Sequence, residues 1–164
     1  MEKALNEQIN AELFSSYLYL AMSAHCADMN LEGCANWMRI QAQEELAHAM
    51  KFFDHIIERD GQVKLQPLKG PEGTWKTAEE IFAAAYEHEK YISGRINDLV
   101  TLAIKEGDHA SNNFLQWFVA EQVEEEASAN GILQQFKLAG KNPGAAFHLD
   151  MELGKRTFTP PSAE

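Results

Sequence analysis

The sequence predicts an all-α fold, a four-helix bundle with one long crossover loop and a short fifth helix near the C-terminus. Three observations predict it. Apolar residues recur at alternating steps of three and four along four long stretches, which is typical of helices that face a core. Helix breakers are rare at first, since the first glycine is Gly33 and the first proline is Pro67. One stretch rich in proline and glycine, residues 62–77, separates the second and third helical patterns.

The first helix is predicted over about residues 2–28 and the second over about 31–60, with Gly61 as the C′ residue that ends it. The core-facing stripe of the first helix contains Leu5, Ile9, Glu12, Ser16, Tyr19 and Ser23. The stripe of the second contains Cys34, Met38, Gln41, Glu45, His48, Phe52, His55 and Arg59. Both stripes follow the period of an amphipathic helix.

The third helix is predicted from a capping box formed by Thr77 and Glu80 to about Glu106, with Gly107 as its stop. Its stripe contains Ile81, Ala85, Glu89, Ile92, Ile96, Leu99 and Ala103. The fourth helix is predicted from about residue 109 to before Gly140, with a stripe of Ser111, Leu115, Phe118, Gln122, Glu125, Ala129, Ile132 and Phe136.

A fifth helix is predicted over about residues 143–153, with Pro143 in its first turn. The tail covers residues 154–164, and we expect the part from Thr157 to Glu164 to be extended or disordered. A chain of 164 residues predicts a single domain, in which residues 2–140 form the bundle.

The long loop carries topological information. A helix of about 28 residues is ~42 Å long, and sixteen extended residues span up to ~53 Å. The loop over residues 62–77 can therefore run the length of the bundle and let the second and third helices lie parallel. The other two connections within the bundle are short, so we expect the helices that they join to be antiparallel.

Each of the four stripes is interrupted by one acid near the middle of its helix, namely Glu12, Glu45, Glu89 and Glu125. His48 lies one turn from Glu45, and Gln122 lies one turn from Glu125, so each pair projects from one helix face. A single acid of this kind is more often exposed to solvent than bound to a metal. A lone histidine is more often a core residue with its hydrogen bonds made within the protein than a metal ligand. Four stripes interrupted at one height argue against coincidence, because unpaired buried charge is expensive.

Four ionised carboxylates repel one another in a small dry site. Two divalent cations would balance their charge with His48 neutral. Carboxylate oxygens with one imidazole nitrogen suit iron or manganese better than zinc, and the residues alone do not choose between those two metals. Cys26 and Cys34 form no CxxC motif, so we expect buried free thiols, with a disulfide between them as the alternative.

The composition excludes several classes of protein. The net charge is −11, and the basic residues form no cluster beyond the pair Lys155 and Arg156, which argues against nucleic-acid binding. The acidic surface fits cation attraction or simple solubility. Apolar runs stay below the ~18 residues that span a membrane. Residues 1–8 lack the pattern of a signal peptide, so we expect a cytoplasmic protein with no membrane partner.

Three blocks of sequence resemble bacterial non-haem ferritins, over about residues 2–155. The matching stretches are residues 5–8 (LNEQ) with 12–16 (ELFSS), residues 42–48 (AQEELAH), and residues 113–118 (NFLQWF) with 121–126 (EQVEEE). An E-x-x-H motif alone is a weak signal, but three blocks in order with helices of matching length are a strong one. The resemblance implies the ferritin-like bundle.

The resemblance also implies roles for single residues. A first iron site matches Glu12, Glu45, His48 and Gln122. A second matches Glu45, Glu89 and Glu125, with Glu45 bridging both. A third, adjacent site resembles Glu44, Glu121, Glu124 and Glu125, although three of these would otherwise be read as an ordinary solvated face. Tyr19 matches a tyrosine that can donate an electron, and Trp117 matches an aromatic neighbour; spacing alone would make both core residues.

Departures from related families are also informative. Leu46 stands where a haem-binding bacterioferritin would be expected to have methionine, so no haem is expected. The fourth helix carries Gln122 and Glu125 in place of a second E-x-x-H motif, which is typical of ferritins. Asn112 and Leu115 align with the acids that line the three-fold channels of animal ferritins, so that iron entry route does not carry over.

The resemblance implies iron storage with ferroxidase activity, in which O₂ or hydrogen peroxide oxidises Fe(II) to Fe(III) in a homo-oligomeric shell of 24 subunits. The main alternative is a di-iron oxygenase acting on an organic substrate, which would need a substrate pocket and usually a reductase. A non-catalytic shell subunit would be expected to lose the metal glutamates. A DNA-protecting mini-ferritin is disfavoured because the chain lacks a basic tail.

Overall fold

The computed structural model describes residues 1–160. Its helices are α1 (Glu2–Asp28), α2 (Glu32–Glu58), α3 (Ala78–Glu106), α4 (His109–Ala139) and α5 (Pro143–Leu153). The predicted all-α class is confirmed, and the predicted helix bounds differ from these by no more than two residues. Residues 157–160 have no regular secondary structure; the prediction for the rest of the tail, 161–164, lies outside the described residues. Within the described part, no helix combines the length and the apolar character that crossing a membrane requires.

Helices α1 and α2 pack along each other in opposite directions. Ser16 Oγ donates to Ala42 O at 2.7 Å, and about two turns further along α1 Ser23 Oγ donates to Ala35 O at 2.7 Å. Residue numbers therefore rise along α1 as they fall along α2. The short connection between the two helices had predicted this antiparallel arrangement.

Helix α3 also runs antiparallel to α1. Ser15 Oγ lies 2.7 Å from His88 Nε2, and Arg95 Nε donates to Gln8 Oε1 at 2.9 Å. Because α2 and α3 are both antiparallel to α1, they are parallel to each other, as the length of the crossover predicted. Helix α4 completes the bundle by packing along α3.

The crossover between α2 and α3 runs the length of α1. At its beginning, Asn6 Nδ2 donates to Gln62 O at 3.1 Å and Asn6 Oδ1 accepts from Lys64 N at 2.6 Å. At its end, His25 Nε2 lies 2.6 Å from Trp75 O. Asn6 and His25 are ~29 Å apart along the axis of α1 at the helical rise, so the loop connects opposite ends of the bundle.

The end of α2 differs from the prediction. The left-handed residue is Asp60, with φ of 56°, and not Gly61. Gly61 follows it, and its amide donates to Ile56 O at 2.9 Å, which makes it the C″ residue of a Schellman turn. A Cβ on Gly61 would lie only 2.9 Å from Ile56 O. Glycine is needed here for this close approach rather than for a positive φ.

The predicted capping box of α3 is formed in part. Thr77 Oγ1 accepts from Glu80 N at 3.2 Å, as predicted. The carboxylate of Glu80 accepts from Lys76 N at 2.7 Å rather than from the amide of Thr77. The return bond is therefore displaced by one residue, and the helix still begins where the motif indicated.

The bundle contains two apolar clusters, one on each side of a polar layer. The first surrounds Tyr19, Met22, Met38, Phe82 and Phe136. The second surrounds Leu5, Ile9, Phe52, Leu115 and Phe118. Cys26 and Cys34 are buried in the first cluster as free thiols, which confirms the expectation of reduced core cysteines.

Helix α5 packs across the beginning of α2. The carboxylate of Asp150 accepts from Cys34 N at 2.8 Å and from Gly33 N at 3.2 Å. It thereby satisfies two of the free amides at the N-terminus of α2, which has no side-chain cap of its own at Leu31. A Cβ on Gly33 would lie 1.6 Å from Asp150 O, so this contact requires glycine.

Candidate metal centre

Four carboxylates, one from each long helix, lie in the polar layer between the two apolar clusters. They are almost fully buried, with exposed fractions of 0% for Glu12, 2% for Glu45, 1% for Glu89 and 6% for Glu125. Acidic side chains are very rarely buried to this degree without a partner. The helices bring them together because each lies on the core-facing stripe of its helix, near the middle.

The first compact group consists of Glu12, Glu45 and His48. One ligand atom of each lies within 4.8 Å of the others, and all three are buried. His48 Nδ1 is 3.5 Å from Glu45 Oε2. Trp117 packs edge-on against the His48 ring, with ring centroids 5.4 Å apart, and so helps to fix the orientation of the imidazole.

The second compact group consists of His48, Glu121 and Glu125, again with one ligand atom of each within 4.8 Å of the others. Glu121 is half-buried, whereas its two partners are buried. His48 belongs to both groups and therefore lies between Glu12 on one side and Glu121 on the other. A metal ion in this layer would meet carboxylate oxygens with imidazole nitrogen, which is the donor set favoured by iron and manganese.

Glu89 is held by neighbours on both sides. Tyr19 donates its hydroxyl to Glu89 Oε1. Gln122 Nε2 donates to Glu89 Oε2 at 3.2 Å and to its backbone carbonyl at 3.3 Å. Sequence reasoning placed Gln122 with Glu12 in a first site, whereas the structure places its amide on Glu89.

The residues expected to form a third site do not all meet. Glu44 is half-buried and forms an ion pair with Arg156, with Nη2 and Oε2 separated by 2.5 Å. Glu124 is exposed and belongs to neither compact group. Of that expected set, the structure brings Glu121 and Glu125 together with His48.

Burial favours the protonated, uncharged forms of the carboxyl groups in the centre. Burial first, and then the neighbouring Glu45 carboxylate, raises the pKa of Glu12 from its ordinary 4.5 to about 8. Burial likewise raises the pKa values of Glu45, Glu89 and Glu125, and the carboxylates add to the shift by repelling one another. Without a bound cation the layer therefore retains protons at neutral pH.

Two glutamines that sequence reasoning did not assign to the site hold its carboxylates. Gln8 Nε2 donates to Glu12 Oε1 at 2.8 Å, and Gln41 Nε2 donates to Glu125 Oε2 at 2.6 Å. Both are fully buried. Each lies four residues before a metal-site glutamate, and this repeated Q-x-x-x-E spacing in α1 and α2 was the available signal.

An arginine orients each of these amides. Arg95 Nε donates to Gln8 Oε1 at 2.9 Å, and Arg156 Nη1 donates to Gln41 Oε1 at 2.9 Å. Because the amide oxygen faces the guanidinium, the amide nitrogen faces the carboxylate. These arginines come from α3 and from the segment after α5, and no local sequence pattern connects them with the site.

One oxygen of the centre identifies where a cation fits. Glu12 Oε2 is buried and has no hydrogen-bond partner among the described residues. A buried unsatisfied carboxylate oxygen is costly, and a metal ion between Glu12, Glu45 and His48 would satisfy it. The residues present therefore fit divalent iron as a substrate of this layer.

Comparisons with known proteins agree with this geometry. A family model described as the ferritin-like domain matches residues 2–139. A bacterial non-heme ferritin of Bacteroides fragilis is 42% identical over 156 residues, which cover 95% of this chain and 97% of the relative. The protein of the same name from Campylobacter jejuni is 40% identical, with coverage of 90% and 89%.

Solved structures show the same relationship. An open pore ferritin from the hyperthermophilic archaeon Archaeoglobus fulgidus superimposes with a TM-score of 0.95 at 50% identity, covering 96% of this chain and 97% of that one. A closed form of that ferritin, engineered by site-directed mutagenesis, gives a TM-score of 0.96 at 50% identity, with 97% of each chain covered. From its bundle, its buried carboxylate layer and these matches, we conclude that the chain belongs to the ferritin family.

Proposed function

We propose that this protein oxidises Fe(II) to Fe(III) in its carboxylate layer and stores the iron inside a shell of identical subunits. The observation that carries this proposal is the convergence of one almost fully buried carboxylate from each long helix beside His48. Ionised, the four carboxylates carry −4, and two ferrous ions carry +4. Membership of the ferritin family supports iron as the metal.

The residues of the layer divide into two positions in this proposal. Glu12, Glu45 and His48 bind the first ferrous ion, and Gln122 is the further ligand that the resemblance implied there. Glu45, Glu89 and Glu125 bind the second, with Glu45 shared between the two, as the resemblance to bacterial ferritins implied. Gln122 supports the second position by holding Glu89.

The chemistry supplied by the chain is preorganisation and proton transfer. Two ferrous ions held side by side each lose one electron, and together with two protons these reduce O₂ to hydrogen peroxide. Peroxide as the oxidant takes two electrons and two protons and gives water. The carboxylates release protons when they bind the metal, and the dry layer holds the pair in fixed geometry.

Storage requires a closed assembly. The family resemblance implies 24 subunits, and light scattering of the native particle tests this number. A monomer or dimer in solution would exclude storage.

A third iron position that includes Glu44, Glu121 and Glu124 is part of the same proposal, with Glu125 shared.

The di-iron oxygenase alternative is not favoured. Glu12 and Tyr19 are fully buried and Glu89 is 1% exposed, so these side chains face packed protein rather than a cleft in which an organic substrate could bind. The relatives reported above are named ferritins.

The decisive experiment is stopped-flow oxidation of Fe(II) with the Glu45→Ala/His48→Ala variant. Rapid Fe(II)-dependent O₂ consumption should be lost while the particle remains assembled. The matched control is Glu79→Ala/His109→Ala, which removes the same two side chains from exposed positions and should oxidise iron at the unaltered rate. Unchanged kinetics in the first variant would refute this assignment of the centre.

A further inference from the structure

The side chain of Arg156 lies directly beside the metal centre. Its Nη2 is 2.5 Å from Glu44 Oε2, its Nη1 donates to Gln41 Oε1 at 2.9 Å, and its guanidinium lies 4.5 Å from the centre of the Trp37 ring. The ion pair is mostly shielded from solvent, with exposed fractions of 24% for Arg156 and 17% for Glu44. Charge-assisted bonds of this kind are the stronger ones in proteins.

Glu44 lies on the same face of α2 as His48, which belongs to the second compact group. It lies four residues before His48 on α2, so both side chains project from one face of the helix. His48 is grouped with Glu121 and Glu125. A metal ion bound between Glu121 and Glu125 would therefore have Glu44 within reach, were Glu44 not already paired with a cation.

We propose that Arg156 controls access of iron to the third position, because its guanidinium is the cation that occupies Glu44 until it is displaced. The inference rests on the function proposed above and adds a residue that limits how tightly the third ion binds. Arg156 must leave Glu44 before this carboxylate can bind a ferrous ion. The same movement frees Gln41 Oε1, which has Arg156 as its donor.

The contact can be removed without undocking the C-terminal segment. Asn36 Nδ2 donates to the backbone carbonyl of Arg156 at 3.0 Å, and substitution of the side chain leaves this bond available. Lys155, the preceding residue, provides the matched control. It is exposed and pairs with Glu152 at 2.6 Å, so Lys155→Gln removes the same unit of charge away from the centre.

The test is anoxic titration of the assembled protein with Fe(II), followed by calorimetry to resolve the successive ions bound per chain. Arg156→Gln should lower the dissociation constant of the third ferrous ion by about tenfold. This factor corresponds to removing a competing ion pair that contributes about 1.4 kcal/mol. Lys155→Gln should leave it unchanged. In a Glu44→Gln background, Arg156→Gln should have no further effect, because the carboxylate that both cations share is gone.

An unchanged or weaker third step in Arg156→Gln, or equal tightening in Lys155→Gln, would overturn the inference. If Arg156→Gln does not assemble, Arg156→Lys decides. Lysine keeps the charge but lacks the planar guanidinium that contacts Glu44 and Gln41 together. The affinity for the third ferrous ion should therefore rise two- to threefold. An unchanged affinity would contradict the proposed role of Arg156.

The first two steps report separately on the proposed function. If they persist in Glu45→Ala/His48→Ala, then the proposed centre itself is wrong. If they disappear there and the third step is still insensitive to Arg156, only the role of Arg156 fails.

Discussion

The side-chain amide of Gln8 donates to Glu12 Oε1 at 2.8 Å, while the other oxygen of Glu12 has no partner among the described residues. One oxygen is thus fixed by the protein and the other remains available. Arg95 holds the amide in this orientation from its far side. Glu12 therefore reaches the layer with a defined rotamer before any metal ion binds, which reduces the entropic cost of binding.

Replacing Gln8 with leucine should weaken the binding of the first ferrous ion. The substitution keeps a similar volume but leaves both oxygens of Glu12 without a donor, and residues that support metal ligands typically contribute 10- to 100-fold in affinity. We expect the dissociation constant in an anoxic titration to rise by about tenfold. Gln116→Leu is the control, because Gln116 is exposed and donates to Asn112 within α4. Equal affinities in the two variants would contradict the role of Gln8.

Binding of Fe(II) without oxygen should release protons. The pKa of Glu12 is raised to about 8 by burial and by Glu45, so at pH 7 the free carboxyl holds a proton that the metal must displace. Fewer protons should be released as the pH rises through 8, and the apparent affinity should increase over the same range. Calorimetry in two buffers of different ionisation enthalpy measures the number released.

The raised pKa of Glu12 also makes the stability of the metal-free protein depend on pH, because proton binding and folding are linked. An unfolded glutamate has a pKa near 4.5 and the folded Glu12 near 8, so the folded state binds more protons between these values. The stability of the metal-free protein should therefore fall as the pH rises from 5 to 8. In Glu12→Gln this part of the pH dependence should disappear; if thermal melting of metal-free Glu12→Gln shows the same slope as the unaltered protein, the shift has been misassigned.

Helix bounds were predictable from the sequence because the stripes are long and their ends carry strong signals. Helix α3 begins after Thr77 and ends before Gly107, as expected. The end of α2 was misjudged because either Asp60 or Gly61 can follow a helix, and only the packing against Ile56 decides which one takes the positive φ.

The convergence of the four buried glutamates was predictable, because each interrupts the core-facing stripe of its helix near the middle. Contacts between particular side chains were predictable only within one helix. Glu45 and His48 are one turn apart, so their proximity follows from helical geometry. The contact of Gln122 with Glu89 depends on how α3 and α4 pack, and the contact of Arg156 with Glu44 joins residues 112 positions apart. Such contacts are set by tertiary packing and leave no periodic trace in the chain.

Gly33→Ala should displace α5 from α2. The added Cβ would lie 1.6 Å from Asp150 O, which is backbone and cannot move aside cheaply, so a loss of about 3 kcal/mol is expected from overpacking. Thermal melting measures the loss, and hydrogen exchange over residues 143–153 shows whether α5 is released. Gly94→Ala is the control: its Cβ would meet open space, so a helical alanine should be neutral or stabilising. Equal melting temperatures for the two variants would show that the contact tolerates a side chain.

Tyr19→Phe should separate the binding of iron from its oxidation. Burial and the neighbouring Glu89 carboxylate raise the pKa of Tyr19 above its ordinary value, so its hydroxyl stays protonated and donates to Glu89. Phenylalanine fills the same space but leaves Glu89 Oε1 without this donor, and it removes the hydroxyl that the family resemblance implies as an electron donor. We expect the number of ferrous ions bound without oxygen to stay the same, while their oxidation in stopped-flow measurements slows several-fold. Tyr17→Phe, at a position 47% exposed, controls for loss of a tyrosine hydroxyl and should oxidise iron at the unaltered rate. If Tyr19→Phe is as fast as that control, Tyr19 is a packing residue and its hydrogen bond to Glu89 does not contribute to the reaction.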